Sequence, residues 1–371
     1  MTTHSPAALR IHADLPVVDG HNDLPWKLRT EADGDLDAAD PRFPLPHFHT
    51  DIPRMLAGGV GAQFWSVYVP ADVPNAFEQT LGQIDLVERM VARDDRLAWA
   101  RSGTDARMVR DSGRIACLTG AEGGHSIENS LDNLHTLAER GVRYMTLTHS
   151  DTHDWADSAT DDQRHRGLTP FGRDVVREMN RLGMLVDLSH VSADTMRAAL
   201  DVGEAPVIAS HSNAYQLAPH PRNVPDDVLR EIGARDGVVM AVFFPGFVVR
   251  STAAQMVTMF EHWREARERL NGDEAAIAAE IKEYEASLDL DHGSVADVVD
   301  HIEYIAEVAG IDAVGLGSDF DGVTITPQGL EDVSCYPAIT DELLSRGWVE
   351  TDIRKVLGEN SLRVLDSVGA E

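Results

Sequence analysis

The segment from residue 184 to residue 211 reads MLVDLSHVSADTMRAALDVGEAPVIASH and carries one complete repeat of a fold. Its two apolar runs, Met184–Leu188 and Pro206–Ser210, have the length and composition of parallel strands buried on both faces. Between them, Ser192–Val202 has helical spacing behind a capping serine. The segment therefore predicts a strand, a helix and a second parallel strand, and each strand leads into a Ser-His pair.

The same alternation of apolar runs and helical patterns continues along the chain. Six further runs bring the predicted strands to eight: Leu15–Gly20, Ala62–Val69, Ile115–Gly120, Val142–Thr148, Val238–Phe244 and Ala313–Gly317. Helical spacing is found in Asn75–Arg93, Leu131–Arg140, Pro170–Leu182, Asp226–Arg235 and Val295–Ala309. Eight such units predict an α/β protein with a (β/α)8 TIM barrel, as a single domain over residues 1–371. An open doubly wound sheet is the alternative, which eight regularly spaced units disfavour.

Two segments depart from the simple repeat, and a third closes the chain. Thr30–Thr50 is rich in Asp and Pro and predicts a long loop after the first strand. Met256–Leu288 predicts a long, charged helical stretch after the seventh strand, and Thr351–Val368 a closing amphipathic helix. The first two follow strand C-termini, where a barrel places its functional loops.

Composition excludes several classes of protein. The 371 residues carry 32 Lys and Arg against 62 Asp and Glu, and a net charge of −30 disfavours binding to nucleic acid or to a membrane surface. Two cysteines cannot build a disulfide framework, and neither a secretory signal nor an apolar run long enough to span a bilayer is visible. We therefore expect a soluble, cytoplasmic protein. The P-loop, dinucleotide-binding and nucleophile-elbow motifs do not occur.

Imidazole and carboxylate side chains follow six of the eight predicted strands. They are His21 and Asp23, Glu122 and His125, His149, His190, His211, and Asp319 and Asp321. Singly, each is most simply read as a structural histidine, a capping residue or an Asx turn. In a barrel, however, all these strand ends open on one face, so the side chains would converge there. Their shared position favours a metal site.

The spacing suggests how these residues would hold two divalent ions such as zinc. His21 and Asp23 flank one residue of an extended strand and point to the same side, so they can bind one ion. His190 and His211 come from neighbouring strands and can bind a second. A metal pair needs a bridging anion. A modified lysine at a strand end could supply this anion, but no lysine ends a predicted strand. Glu122 is therefore the natural bridge.

Three further residues have expected roles in amide hydrolysis at such a centre. Two metals lower the pKa of a bridging water towards neutrality and polarise a carbonyl. Asp319 is the candidate for moving the proton to the leaving amine, and His149 for donating to the carbonyl oxygen. Arg222, in the Pro-bounded loop after the sixth strand, would hold a substrate carboxylate, although taken alone it is one of many arginines.

Together these segments resemble the membrane (renal) dipeptidase family of the amidohydrolase superfamily. The similar stretches are 21–23 (HND), 122–125 (EGGH), 147–149 (LTH), 187–192 (DLSHVS), 210–212 (SHS), 222–227 (RNVPDD), 317–322 (GSDFDG), 49–54 (HTDIPR) and 63–66 (QFWS). The resemblance implies a TIM-barrel dipeptidase with two Zn²⁺ per chain, bridged by Glu122 and a hydroxide. It assigns the same metal ligands, with His149 and Arg222 binding substrate and Asp319 transferring protons.

The resemblance also implies a substrate class and an assembly. Members cleave dipeptides, tolerate a D-residue at the C-terminal position (L-Xaa-L-Xaa and L-Xaa-D-Xaa) and often form homodimers. Animal members are secreted, disulfide-bonded and lipid-anchored, so this chain is expected to be a bacterial, cytoplasmic member. Its loop 150–155 (SDTHDW) differs where many relatives have asparagine, so a substrate pocket is expected to differ; His153 there would be an extra contact or simply solvated.

Two alternatives remain open at this point. The same binuclear site could serve an amidase or lactonase acting on another small substrate. A metal-binding or scaffold protein without turnover is also conceivable, although the full set of proposed ligands and Asp319 argues against it.

Overall fold

A closed parallel barrel forms the centre of the computed structural model, which describes residues 4–271 and 274–368. The strands are β1 (Val17–Asn22), β2 (Val60–Tyr68), β3 (Leu97–Trp99), β4 (Ile115–Glu122), β5 (Val142–Thr146), β6 (Leu185–Asp187), β7 (Ile208–Ala209), β8 (Val238–Ala241) and β9 (Val314–Leu316). All pair in parallel, and pairing of β2 with β4 and of β1 with β9 closes the ring. The predicted (β/α)8 TIM barrel is confirmed, and the open doubly wound alternative is wrong.

One short strand lies outside the eight of the barrel and was not predicted. β3 pairs with Ile115–Cys117 at the start of β4, and β5 takes over the pairing with β4 from Thr119 onwards. β3 therefore extends the sheet at the N-terminal end of the barrel. This end is opposite to the one where the strand C-termini meet.

Helices surround the barrel and connect its strands. They are α1 (Pro6–Asp14), α2 (Leu24–Ala32), α3 (Ile52–Ala57), α4 (Ala76–Ala92), α5 (Gly103–Asp111), α6 (Leu131–Glu139), α7 (Pro170–Arg181), α8 (Ala193–Val202), α9 (Asp226–Ala234), α10 (Pro245–Val248), α11 (Arg250–Arg269), α12 (Glu274–Ser287), α13 (Val295–Ala309), α14 (Tyr336–Ser345), α15 (Glu350–Arg354) and α16 (Asn360–Ser367). The six predicted helices are α4, α6, α7, α8, α9 and α13, each within a residue of its predicted bounds. Side chains cap several of them; Ser192, for example, accepts a hydrogen bond from the Thr195 amide.

The three irregular segments differ in detail from their predictions. Helix α2 occupies the first residues of the predicted loop Thr30–Thr50, and the rest of that segment has no helix or strand. Met256–Leu288 falls into two helices, α11 and α12, and its residues 272–273 lie outside the described residues. Thr351–Val368 is not one helix, because a π-turn at Lys355–Glu359 separates α15 from α16. The backbone of Gly358 is not helical, and the chain bends there. The same residue lies against Val18 of β1, where a side chain would overlap.

The barrel interior is filled by side chains that support the rim above them. Phe64, Leu118, Tyr144, Ile208 and Met240 pack in one buried cluster. Gly120 leaves space for the Tyr144 ring, since a Cβ there would overlap it. The outer cluster fills the space between strands and helices. Within the described ranges, no helix combines the length and apolarity needed to cross a bilayer.

Candidate metal centre

The predicted site residues lie together at the C-terminal rim of the barrel. His21 lies near the end of β1, Asp23 directly after it, and Glu122 is the last residue of β4. His149, His190, His211 and Asp319 lie in the first turns after β5, β6, β7 and β9. Residues from six strands thus converge, as the parallel topology requires.

One carboxylate oxygen is the point of convergence. Oε1 of Glu122 lies near Nε2 of four imidazoles, with distances of 3.1 Å for His190, 3.4 Å for His21, 3.5 Å for His211 and 3.9 Å for His149. Oε2 of Glu122 accepts a hydrogen bond of 2.9 Å from Ser66 on β2, which fixes the orientation of the carboxylate. Glu122 is only 3% exposed, so these groups interact with little solvent between them.

Three groups of side chains have their ligand atoms within 4.8 Å of one another: His21, Glu122 and His211; Glu122, His149 and His190; and His21, Asp23 and Asp319. Glu122 is shared by the first two groups, which is what a bridging ligand requires. His190 and His211, expected on one ion, fall in different groups, yet their rings lie 4.9 Å apart. The described geometry therefore allows more than one pairing of these imidazoles with two ions.

His211 presents an unprotonated nitrogen to this centre. The Ser210 hydroxyl donates to Asp187 at 2.6 Å and lies 2.8 Å from Nδ1 of His211. Because the hydroxyl has one proton, and gives it to Asp187, it accepts from Nδ1–H of His211. Nε2 then carries a lone pair, and it has no hydrogen-bond partner among the described residues. This is the tautomer that binds a metal.

His21 is held in the same way from inside the barrel. The Tyr144 hydroxyl donates to the Gly20 carbonyl at 3.1 Å and lies 2.8 Å from Nδ1 of His21. It therefore accepts from Nδ1–H and leaves the lone pair on Nε2. That nitrogen is buried, finds no hydrogen-bond partner in the described chain, and lies 3.2 Å from a carboxylate oxygen of Asp23. Lone pairs facing one another at this distance fit a cation placed between them.

The electrostatics of the rim also require positive charge between these groups. Burial lowers the pKa of His21, but Tyr144, Glu122 and Asp23 outweigh it and raise that pKa well above its ordinary value, so that without a metal a proton on Nε2 would supply the positive charge. Burial raises the pKa of Glu122, but His21 and His190 bring it well below its usual range. A carboxylate this deeply buried needs compensating charge or hydrogen-bond donors, and Glu122 is surrounded by imidazoles with one donor hydroxyl, that of Ser66. The imidazole and carboxylate donor set therefore fits a divalent ion such as zinc.

Asp319 and His190 have backbone conformations that place their side chains at the centre. Both have φ of 66°, in the left-handed region that is unfavourable for residues other than glycine. Such strain concentrates at functional sites, where the surrounding structure holds it. Burial raises the pKa of Asp319 well above its ordinary value, and the charges of Asp23 and Glu122 add to this effect. A side chain at Gly322 would overlap the carboxylates of both Asp319 and Asp23.

Arg222 is a buried cation without an anionic partner. It is 1% exposed, its NH1 lies 3.4 Å from Ser212 Oγ, and its guanidinium carbon lies 5.0 Å from the centre of the Phe247 ring. NH2 has no hydrogen-bond partner, and no carboxylate of the described chain forms an ion pair with it. Burial lowers the pKa of Arg222 to about 10, although Asp319 and Glu122 oppose the shift. The guanidinium is thus prepared for an anionic group that enters from the cavity.

These side chains surround an opening that we call the central cavity, with a volume of about 280 Å³. Its charged and imidazole walls are Asp23, Glu122, His149, His190, Arg222 and Asp319. The surrounding protein lowers the pKa of His149 by desolvation, although 22% of its side chain is exposed. A neutral imidazole there can donate a hydrogen bond to a ligand.

The sequence did not predict the aromatic walls, and it offered other histidines that do not reach the cavity. The aromatic part of the lining consists of Trp26, Tyr68, Phe244, Phe247 and Phe260. Tyr68 ends β2, so its position at a strand C-terminus was a usable signal, whereas the others lie in connecting segments. His125 and His153 hydrogen-bond to the carbonyls of Val69 and Leu147, each at 2.8 Å. Backbone carbonyls thus hold both rings, and neither lines the central cavity; His153 is partly exposed.

A model of the membrane dipeptidase family, peptidase family M19, matches residues 6–370. The chain belongs to this family.

Solved structures agree with the membership. The probable dipeptidase PvdM from Pseudomonas aeruginosa matches with a TM-score of 0.82 and 24% sequence identity, over 98% of this chain and 97% of that one, which shows the shared fold. A metallopeptidase from Rhodobacter sphaeroides, solved with a phosphinate mimic of L-Ala-D-Ala, matches with a TM-score of 0.77 and 26% identity, over 96% and 99% of the two chains. The dipeptidase AC of family M19 matches with a TM-score of 0.77 and 27% identity, over the same shares.

The family and these dipeptidases support hydrolysis of dipeptides by a metal-dependent enzyme. The clusters of His, Glu and Asp at the rim also support a metal cofactor.

Proposed function

We propose that this membrane dipeptidase family member is a binuclear zinc dipeptidase that hydrolyses L-Xaa-L-Xaa and L-Xaa-D-Xaa dipeptides. The observation that carries the proposal is the convergence of four imidazoles on Glu122 beside a cavity that Glu122 itself lines together with the buried, unpaired Arg222. A centre of this composition suits a small substrate with a carboxylate. The phosphinate mimic of L-Ala-D-Ala held by the Rhodobacter relative supports the D-residue at the C-terminal position.

The metal ligands in this proposal are His21, Asp23, Glu122, His190 and His211. His21 and Asp23 would hold one zinc ion, His190 and His211 the other, and Glu122 would bridge them. Two such ions, when bound, supply a hydroxide at neutral pH and polarise the scissile carbonyl. Zinc fits because imidazole nitrogen and carboxylate oxygen are among its ordinary ligands.

The remaining residues of the cavity would position the substrate and move its proton. Arg222 would hold the C-terminal carboxylate, because it is the cavity's unpaired cation and can donate two parallel hydrogen bonds. His149, neutral because desolvation lowers its pKa, would donate to the carbonyl oxygen as negative charge develops there. Asp319 would pass a proton to the leaving amine, since its environment raises its pKa and favours the protonated form.

The direct test is release of free amino acids from a panel of L-Xaa-L-Xaa and L-Xaa-D-Xaa dipeptides, with zinc-loaded and chelator-treated protein side by side. We expect release that depends on metal and returns when zinc is added back. Metal content should be measured on the same samples. Two bound ions without release from any dipeptide would transfer the assignment to another substrate, and a protein that binds no zinc would contradict the proposed centre.

An amidase or lactonase acting at the same site is the second candidate, but Arg222 favours the dipeptidase. A neutral lactone or amide gives a buried guanidinium no partner, and an unpaired buried cation is costly. The homodimer and the cytoplasmic location are further proposals; the first rests on the family resemblance and the second on the small number of cysteines. Light scattering on the purified protein tests the first, and cell fractionation the second.

A further inference from the structure

A second opening adjoins the central cavity, and we call it the side pocket. Its volume is about 530 Å³, against about 280 Å³ for the central cavity. The two share a wall that includes Trp26, Tyr68, His149 and Phe260. A group bound beside His149 can therefore extend from one opening into the other without crossing solvent.

The two openings differ in which proposed substrate contacts they hold. Arg222 and Asp319 line the central cavity but not the side pocket, whereas His149 lines both. With its carboxylate on Arg222, a dipeptide would keep its C-terminal residue in the central cavity. Its scissile carbonyl at His149 belongs to the N-terminal residue. The side chain of that residue is then the part of the substrate beside the side pocket.

The walls of the side pocket are largely apolar. Met259 and Trp263 of α11 and Ile281 of α12 face Pro70 and Val73 from the segment after β2. Below them the ring of Trp26 meets that of Tyr68 edge to face, with centroids 5.0 Å apart. Burial of an apolar or aromatic group against such a surface is favourable. The flexible thioether of Met259 can adapt to the shape of that group.

The charges of the side pocket are already paired. Arg267 of α11 lies 2.7 Å from Asp72 and 2.8 Å from Asp151, and its guanidinium lies 5.2 Å from the centre of the Trp263 ring. Two carboxylates share one guanidinium, which leaves a net charge of −1 and no free cation for an acidic side chain. A basic side chain would have to compete with Arg267 for its two partners.

We infer that the side pocket selects dipeptides whose N-terminal residue has a large apolar or aromatic side chain. The inference rests on the proposed dipeptidase function and on the orientation set by Arg222. It assigns Met259, Trp263, Ile281 and Val73 as residues that determine specificity. Burial of such a side chain should raise kcat/KM by about tenfold or more over alanine at the same position.

The experiment compares zinc-loaded wild type with two variants that fill the pocket from opposite walls, Val73→Trp and Met259→Trp. The substrates are Phe-Ala, Ala-Ala, Ala-Phe, Lys-Ala and Glu-Ala. Val349→Trp is the matched control, because Val349 is 57% exposed and lies before α15, outside both openings. Thermal unfolding of each variant shows whether it is folded.

We expect the wild type to prefer Phe-Ala over every other substrate in the set. Each filled variant should lose about tenfold or more in kcat/KM for Phe-Ala while Ala-Ala and Ala-Phe change little, and Val349→Trp should match the wild type. A wild type that prefers Ala-Ala, Lys-Ala or Glu-Ala overturns the inference and leaves the dipeptidase function standing. So does a loss in folded filled variants that affects Ala-Phe or all substrates equally. Cleavage of no dipeptide by the wild type overturns both.

Discussion

Asp187 accepts a hydrogen bond of 2.6 Å from the hydroxyl of Ser210, and this bond fixes which nitrogen of His211 faces Glu122. The hydroxyl, having given its proton to Asp187, can only accept from Nδ1–H of His211. Asp187 also accepts from Thr146 Oγ1 at 2.6 Å and from the Ser210 amide at 2.8 Å. One buried carboxylate therefore ties β5, β6 and β7 together directly below the proposed metal centre.

Replacing Ser210 by alanine should weaken zinc binding. Loss of the acceptor at Nδ1 frees the tautomer and the ring orientation of His211, and changes of this kind typically cost about 10–100-fold in metal affinity. Competition with a chromophoric chelator measures the affinity. Ser361→Ala is the control, because Ser361 is a buried serine of α16 with no hydrogen-bond partner among the described residues. Equal zinc affinities in the two variants would show that Ser210 does not orient a ligand.

Removing the Tyr144 hydroxyl should act on the other side of the centre. Tyr144→Phe keeps the ring that packs 5.2 Å from Phe64 but removes the acceptor for Nδ1–H of His21. We expect a fall in zinc affinity of about tenfold or more, together with a loss of about 1 kcal/mol in unfolding free energy for the hydrogen bond to Gly20. Chelator competition and urea unfolding separate the two effects. A variant that loses stability but keeps its zinc affinity would show that the Tyr144 hydroxyl stabilises the barrel without orienting His21.

Asp319→Asn should nearly abolish turnover and leave metal content intact. An amide cannot carry the proton to the leaving amine, and the contribution of a positioned acid or base is about 10²–10⁴-fold. The measurement is kcat on a cleaved dipeptide, with zinc counted by atomic emission. Asp321→Asn is the matched control two residues away, because the Asp321 carboxylate accepts from the His49 amide at 2.7 Å and does not line the central cavity. Full turnover in Asp319→Asn would remove the proton-transfer role.

Arg222→Gln should impair only substrates that have a free carboxylate. Loss of one partner of a buried ion pair costs about 2–5 kcal/mol, so kcat/KM for a dipeptide should fall by roughly 30-fold or more. The matched substrate is the same dipeptide with its C-terminus amidated, for which wild type and variant should differ little. An equal loss on both substrates would mean that Arg222 supports the fold of the cavity instead of binding the carboxylate.

Much of this architecture was predictable because the barrel strands are locally marked. Apolar runs such as Met184–Leu188 identify buried strands, and the topology then places His190 and its counterparts on one rim. β3 was missed because its short apolar stretch is only partly buried and stands between Arg96 and Arg101, unlike the longer apolar runs of the barrel strands. The bend at Gly358 was missed because its cause is a contact with Val18, far away in the sequence.

The supports of the site were harder to recognise than the ligands. Tyr144 reads as a core aromatic, and its role depends on the distance to His21 across the barrel. Asp19 and Asp187 did leave a signal, since a carboxylate inside an apolar strand must find partners when buried. In the structure Asp19 accepts from the Ser318 hydroxyl at 2.7 Å and from the Tyr336 hydroxyl at 2.6 Å. The walls formed by α11 could not be predicted, because they depend on how that helix packs over the rim.

Stability should fall in mild acid, and His301 offers a place to measure one part of the effect. His301 is 1% exposed; its Nδ1 accepts from the Ala214 amide at 3.1 Å and its Nε2 donates to the Val248 carbonyl at 2.9 Å. Both nitrogens are thus used by the neutral ring. Burial lowers the pKa of His301 to about 4, against about 6.5 in the unfolded chain.

The depressed pKa fixes the direction of the effect. Because the folded protein binds this proton less readily than the unfolded chain, the stabilisation is complete above pH 6.5 and is lost as the pH falls towards 4. Between pH 7.5 and pH 5 the loss from this one group is about 2 kcal/mol. His301→Gln keeps an amide in place but cannot titrate, so its unfolding free energy in urea should fall less over this interval than that of the wild type. Identical changes in the two proteins would mean that His301 is protonated in the folded state at pH 5 without cost.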